Sequence, residues 1–365
     1  MQFSEKKERL INSIKRKPLD RVPLMYRALP SVNKKLLSYF ALSEDISISW
    51  QPLMEKLNIE AFSSGSGMGK FTSCRPKYCS AAFKINTLDS NMFYAWGIDS
   101  YIDIKSDSIS YIDNAKTAIM SSIEDFKKMK QPEIDEFDLT SMAPDMALRK
   151  DHMLGTGVLN SIFMIAMYLR GAANLMMDLM IDKKLAHYYV DKVGQFACDL
   201  NKKILDKIGD KIDYYKLWDD MAMQNSLMIS PEVFREYFYP WYKKLFSEAK
   251  KHNLITFFHI CGNANEIIRD LIDIGVDVLD PVQTSALNMD LKHLKKEYGK
   301  HISFHGGVDV QGFLQNADPK EIIKYKEETE ELFLNSGGLI LGPAHEITSD
   351  TNIRNIVALY RPDLL

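Results

Sequence analysis

Five short apolar runs recur along the second half of the chain: YYKLW (214–218), LITFFHI (254–260), VDVLDPV (276–282), HISFHGG (301–307) and GLILGPA (338–344). Each is rich in Val, Ile, Phe or Leu and bounded by Gly, Pro, Asp or Asn, the signature of a strand. Helical signals fill the gaps. Ser230-Pro231-Glu232 supplies an N-cap followed by proline at the first helical position. Val233, Phe234, Tyr237, Phe238, Trp241 and Leu245 then recur on one helical face. Pro240 is expected to kink that helix and Asn253 to end it. Asp318-Pro319 opens a later helix that runs toward Asn335, and Gly337-Gly338 leads into the last strand.

Strand and helix alternating at this spacing specify βα units and a parallel sheet. The first half is less regular. RVPLMY (21–26) and HMLGTGVL (152–159) read as strands, residues 85–113 as a hairpin or meander insertion turning at Asp89-Ser90-Asn91, and residues 161–209 as long helices rich in Met and Leu. No composition break or Gly/Ser linker divides the chain. The expectation is one domain over residues 1–365, an α/β (β/α)8 TIM barrel with an N-terminal extension and insertions. A doubly wound open sheet is the alternative, but the glycine-rich first turn of its nucleotide-binding versions is missing.

Composition narrows the function. With 46 basic and 49 acidic residues the net charge is −3, which gives no electrostatic reason to expect nucleic acid or an anionic membrane as partner. The N-terminus has neither a secretory signal nor a membrane span, and no run of about 18 apolar residues occurs anywhere. Four cysteines (Cys74, Cys79, Cys198 and Cys261) in 365 residues suit a reducing, cytoplasmic setting. Cys74 and Cys79 have no second pair to complete a zinc knuckle and read as ordinary thiols. Gly65-Ser66-Gly67-Met68-Gly69-Lys70 fails the phosphate-loop spacing and reads as a flexible loop. Met176, Met177 and Met180 read as core filler, and the lysine-rich run 292–296 as a solvated helix face.

In a barrel, catalytic groups stand where strands end and βα loops begin. That rule gathers Trp218-Asp219-Asp220, His259 and Cys261, Asp280 and Gln283, His305 and Asp309, and His345-Glu346. His259 and Cys261 lie two residues apart at a strand end and so share a face. Imidazole and thiolate suit zinc, which needs a third ligand from another strand. His345 is the best-placed candidate, with His305, Asp309 or Glu346 as substitutes.

The residues that carry this constellation resemble the uroporphyrinogen decarboxylase superfamily, on its cobamide-dependent methyltransferase side. The resemblance rests on KPLDRVP (17–23), DDMAMQNSLMISPEVFREYFYPWYKKL (219–245), FFHICGNANEIIRDLIDIGVDVLDPVQ (257–283), ISFHGGVDVQ (302–311) and GGLILGPAHEI (337–347). It implies a (β/α)8 barrel with its funnel at the strand C-termini. True decarboxylases of this kind carry an R-Q-A-G-R-Y stretch whose arginines hold substrate carboxylates; here the region reads PLMYRALPSVNKKL, with Arg27 alone. The branch serving coenzyme M binds zinc through an H-x-C pair and a later cysteine. His259 and Cys261 match the pair, and His345 stands at the later position, a departure closer to relatives that take methyl groups from ethers or amines.

The implied activity is zinc-dependent methyl transfer between a small substrate (a methyl ether, methylamine or thiol) and a corrinoid. Zinc would act as a Lewis acid on the heteroatom bearing the methyl group. Asp219, Asp220 or Glu346 would handle the proton, while Arg27, Gln224, Gln283, His305 and Asp309 would contact substrate. No D-x-H-x-x-G corrinoid signature is present, so the cobamide is expected on a separate partner protein. A homodimer is compatible with the sequence. The alternatives are a metal-free decarboxylase on the same barrel, or a non-catalytic barrel that binds a corrinoid or porphyrin.

Overall fold

A strand buried on both faces presents alternate residues to two different apolar environments, and this periodicity organises the barrel. The computed structural model describes residues 3–43, 46–63, 71–72, 75–76, 96, 98, 100–103, 108–111, 120–140, 142–157 and 162–365. Its barrel strands are β1 (Met25–Arg27), β2 (Ala61–Ser63), β3 (Gly155–Thr156), β4 (Tyr214–Trp218), β5 (Ile255–His259), β6 (Val278–Val282), β7 (Ser303–Val308) and β8 (Leu339–Pro343). From β3 to β8 each strand runs parallel to the next. β1 pairs with β2 and reaches β8 through bridges at Leu24–Leu341 and Ala28–Ile347. A short strand, Phe71–Thr72, flanks β3 on its other side. The α/β barrel expected from the strand rhythm is the fold observed.

Inside the barrel, Tyr214, Phe257, Val278 and Ile340 pack with Met25, Ala61 and Met153. Leu10 and Ile14, from the amphipathic helix Glu5–Ile14, close this plug from below, which gives the N-terminal extension its role. The alternate residues, among them Tyr215, Leu217, Phe258, Leu279, Phe304 and Leu339, join the larger core beneath the outer helices. Two residues further along the same inner faces, the apolar plug gives way to Lys216, His259 and Asp280, with His305 following Ser303 on β7. A polar layer therefore sits directly on the plug, at the strand C-terminal end.

Gly155 is required by that plug. A Cβ placed there would lie 2.1 Å from Cζ of the fully buried Tyr214 ring. Gly155→Ala is expected to displace the ring and cost about 1–3 kcal/mol, read as a lower thermal midpoint. An unchanged midpoint would mean that the ring has room to move.

Local signals were realised with some differences. The bend expected at Pro240 takes the form of a π-turn over Phe234–Phe238, with the regular helix Tyr239–Lys251 resuming around the proline. Asn253 ends that helix at φ 57°, the left-handed conformation asparagine tolerates. Asp318 and Glu321 form a capping box on Pro319–Leu334. The 161–209 region contains three helices, Ile162–Arg170, Ala172–Ile181 and Lys183–Ile208. Among its methionines Met176 packs on the core, but Met177 and Met180 are exposed, because they lie on the outer side of Ala172–Ile181. Within residues 85–113, Ser100–Asp103 pairs antiparallel with Ser108–Tyr111; the turn at 89–91, the 65–70 loop, Cys74 and Cys79 lie outside the described residues. Among the described residues no single helix is long and apolar enough to cross a membrane.

Candidate active site

The polar layer is centred on Asp280. Its carboxylate is fully buried on β6, where the register with β7 shifts between Leu279 and Val282. Lys216 Nζ from β4 lies 2.5 Å from Asp280 Oδ2. His259 Nδ1 from β5 lies 2.9 Å from the same oxygen, and His305 Nδ1 from β7 bonds the other one. Burial alone would raise the Asp280 carboxyl; Lys216, His305 and His259 together hold it well below the usual carboxylate range.

With Nδ1 tied to Asp280, the His259 ring turns Nε2 toward the barrel mouth. Cys261 Sγ lies 3.5 Å from that nitrogen, as the two-residue strand period requires. Asp220, at the end of β4, comes within 4.0 Å of it and accepts the Cys261 backbone N–H at 2.9 Å. One ligand atom each from Asp220, His259 and Cys261 lies within 4.8 Å of the others. Burial pulls the His259 imidazole down, with Asp280 opposing. Burial, then Asp220, pushes the Cys261 thiol well above its usual range, with Arg27 opposing.

Sulfur, nitrogen and carboxylate oxygen are the ligand types zinc takes. The Asp280–His259 contact is the outer-shell partner that metal-bound imidazoles carry. The donor set therefore fits a zinc ion. Asp220 is its third member, where sequence reasoning had put His345.

His345 is half-exposed after β8, its Nδ1 meets Glu346 Oε2 at 2.9 Å, and it is not among the Asp220–His259–Cys261 ligand atoms that lie within 4.8 Å of one another. Glu346 also accepts from Arg27 Nε at 2.9 Å and Nη2 at 2.7 Å. Burial opposes ionisation of Glu346, yet His345 and Arg27 hold it below the usual carboxylate range. Arg27 thus faces the site already ion-paired.

Asp219, read as a proton carrier, does structural work instead. It is fully buried and accepts from Phe163 N at 2.7 Å, Met164 N at 2.9 Å and Tyr242 Oη at 2.5 Å. Its carboxylate thereby caps Ile162–Arg170. Burial pushes it up to about 7, against the pull of Tyr242, Phe163 and Met164. Asp309 is likewise committed to backbone N–H groups of Gln311, Gly312 and Phe313.

Gln283 Oε1 accepts the Gly262 N–H at 2.5 Å and so fixes the turn after Cys261. That turn is close-packed: a Cβ on Gly262, at φ 90°, would meet Met223 O at 2.6 Å. Gln224 is exposed on the loop above, its carbonyl bonded to Leu287 N. Lys216 is the member of this polar layer that sequence reasoning missed. A lysine inside the apolar run YYKLW was its signal, because a buried cation demands a buried anion.

The comparisons with known proteins agree with the barrel fold. Residues 92–361 match the family model described as uroporphyrinogen decarboxylase (URO-D). Among solved structures, a methyltransferase from Methanosarcina mazei aligns with a TM-score of 0.62 at 21% identity, covering 100% of this chain and 99% of that one. No curated protein matches the sequence.

Proposed function

The chain belongs to the uroporphyrinogen decarboxylase family, and from that premise we propose that it is a zinc-dependent methyltransferase acting between a small substrate and the corrinoid of a separate protein. The observation that supports this most is the Asp220–His259–Cys261 group at the barrel mouth. Zinc held there would supply a Lewis acid for the heteroatom that carries the methyl group.

The chain's own residues divide the remaining work. Asp280 keeps the proton on His259 Nδ1, so Nε2 offers its lone pair. Asp220 holds the Cys261 backbone, and the Cys261 Sγ proton is the one that metal binding displaces. Glu346, kept ionised by Arg27 and His345, holds the Arg27 guanidinium in place beside the site. Met223 and Leu287 are exposed on loops joined by the Leu287 N–Gln224 O bond, an apolar rim suited to a corrin macrocycle. The metal-free decarboxylase reading draws less support. A polycarboxylate substrate needs uncommitted cations, whereas Arg27 is paired with Glu346 and Lys216 with Asp280.

Purified protein is expected to hold about one zinc per chain, with affinity lowered by about tenfold or more in His259→Ala and Cys261→Ser and unchanged in His345→Ala. Free cob(I)alamin should be methylated by the zinc-loaded protein when the methyl donor is present. Undiminished zinc affinity in both His259→Ala and Cys261→Ser would sink the ligand assignment.

A further inference from the structure

At the end of the barrel opposite the mouth, two outer helices finish side by side. Lys183–Ile208 leads down to β4 and Tyr239–Lys251 leads down to β5, and Asn201 Nδ2 of the first donates to Leu245 O of the second at 3.5 Å. Each helix carries an acid in its last turn, Asp206 on the first and Glu248 on the second. The C-terminal end of a helix is its negative pole, where a carboxylate is disfavoured and a cation favoured. Two such carboxylates beside two such poles concentrate negative potential at one spot.

His252, the residue that ends Tyr239–Lys251, completes the group one helical turn after Glu248. One ligand atom each from Asp206, Glu248 and His252 lies within 4.8 Å of the others. Among the described residues the imidazole makes no hydrogen bond or ion pair. Its seat is built by Gly209, where a Cβ would lie 2.4 Å from His252 Nδ1. Gly209 has φ −58°, a helical value that any residue accepts, so the glycine serves to make room for the ring. Lysines of the same helices hold the two carboxylates. Lys202 Nζ meets Asp206 Oδ1 at 3.0 Å and Oδ2 at 2.8 Å, and Lys251 Nζ meets Glu248 Oε2 at 2.6 Å. Both lysines are largely exposed, and exposed pairs of this kind are weak enough for a metal ion to displace.

We propose that Asp206, Glu248 and His252 bind a divalent first-row metal ion, which clips the ends of the two helices together at the base of β4 and β5. Two carboxylates and one imidazole make a harder ligand set than one that includes the Cys261 thiolate, so this site accepts manganese as well as zinc. It lies at the opposite strand ends from Asp220, His259 and Cys261 and is independent of the proposed methyl transfer.

Chelated full-length protein titrated with Mn2+ tests this, with the free ion read by electron paramagnetic resonance. About one ion per chain is expected, with affinity lowered by about tenfold or more in His252→Ala and in Asp206→Asn and unchanged in Cys261→Ser. Lys202→Gln removes the competing ammonium and should bind Mn2+ about twofold tighter. The ion should also raise the thermal midpoint of wild type but not that of His252→Ala. Midpoints taken without metal check that each variant folds, and either ligand variant decides if the other does not. Undiminished affinity in the ligand variants, loss of the ion in Cys261→Ser, no tightening in Lys202→Gln, or no bound Mn2+ in wild type overturns the proposal. Because the mouth and the clip are disabled by different variants, failure of one leaves the other standing.

Discussion

Asp280→Ala is expected to lower the unfolding free energy by about 3–5 kcal/mol, the usual cost of breaking a buried ion pair from one side. The variant strands the Lys216 ammonium, whose side chain is 6% exposed, with its carboxylate gone. It also removes the acceptor of the His259 and His305 Nδ1–H groups. Adding Lys216→Met should restore most of the stability, since a buried pair replaced by apolar groups of similar volume is often neutral. Zinc affinity should not return with it, because the His259 ring would still lack the partner that orients it. The double variant thus separates the two roles of Asp280. Chemical denaturation of the single and double variants, with zinc competition alongside, reads both. A single variant within about 1 kcal/mol of wild type would mean that water reaches Lys216 and screens it.

The parts legible in the sequence were those where one period dominates. β4 to β8 are apolar runs five or six residues long, long enough for the strand signature to outweigh its neighbours. The two-residue period alone put His259 and Cys261 on one face. β2, only Ala61–Ser63, is too short for any periodicity to register. Asp219 and Asp220 are adjacent and chemically alike, but one turns into a helix N-terminus more than fifty residues upstream while the other faces the barrel mouth. Nothing local distinguishes them. His345 and Asp220 present the same kind of problem: each ends a strand, and only the closed barrel decides which reaches the Nε2 side of His259. The exposed Met177 and Met180 follow a helical spacing that fits a core as well as a surface.

Asp219→Ala is expected to be as damaging as the loss of Asp280, at about 3–5 kcal/mol, because three buried donors lose their acceptor at once. These are the Phe163 and Met164 N–H groups at the start of Ile162–Arg170 and the fully buried Tyr242 hydroxyl. Asp219→Asn keeps the shape and one acceptor oxygen, so it should cost less. Its comparison with wild type also carries a pH signature. In the folded protein the carboxyl sits at about 7, well above its unfolded value of 3.8. Between those values the folded state holds a proton that the unfolded state releases, so the contribution is full below about pH 4 and is lost as pH rises through about 7. A separation of about three pH units corresponds to about 4 kcal/mol. Asparagine does not titrate, so wild type should be most superior to Asp219→Asn at about pH 4 and below, and the gap should close between about pH 4 and 7. Thermal midpoints of the two proteins across that range measure it. A gap that widens with pH would mean that the cap is a carboxylate throughout, with the three donors outweighing burial.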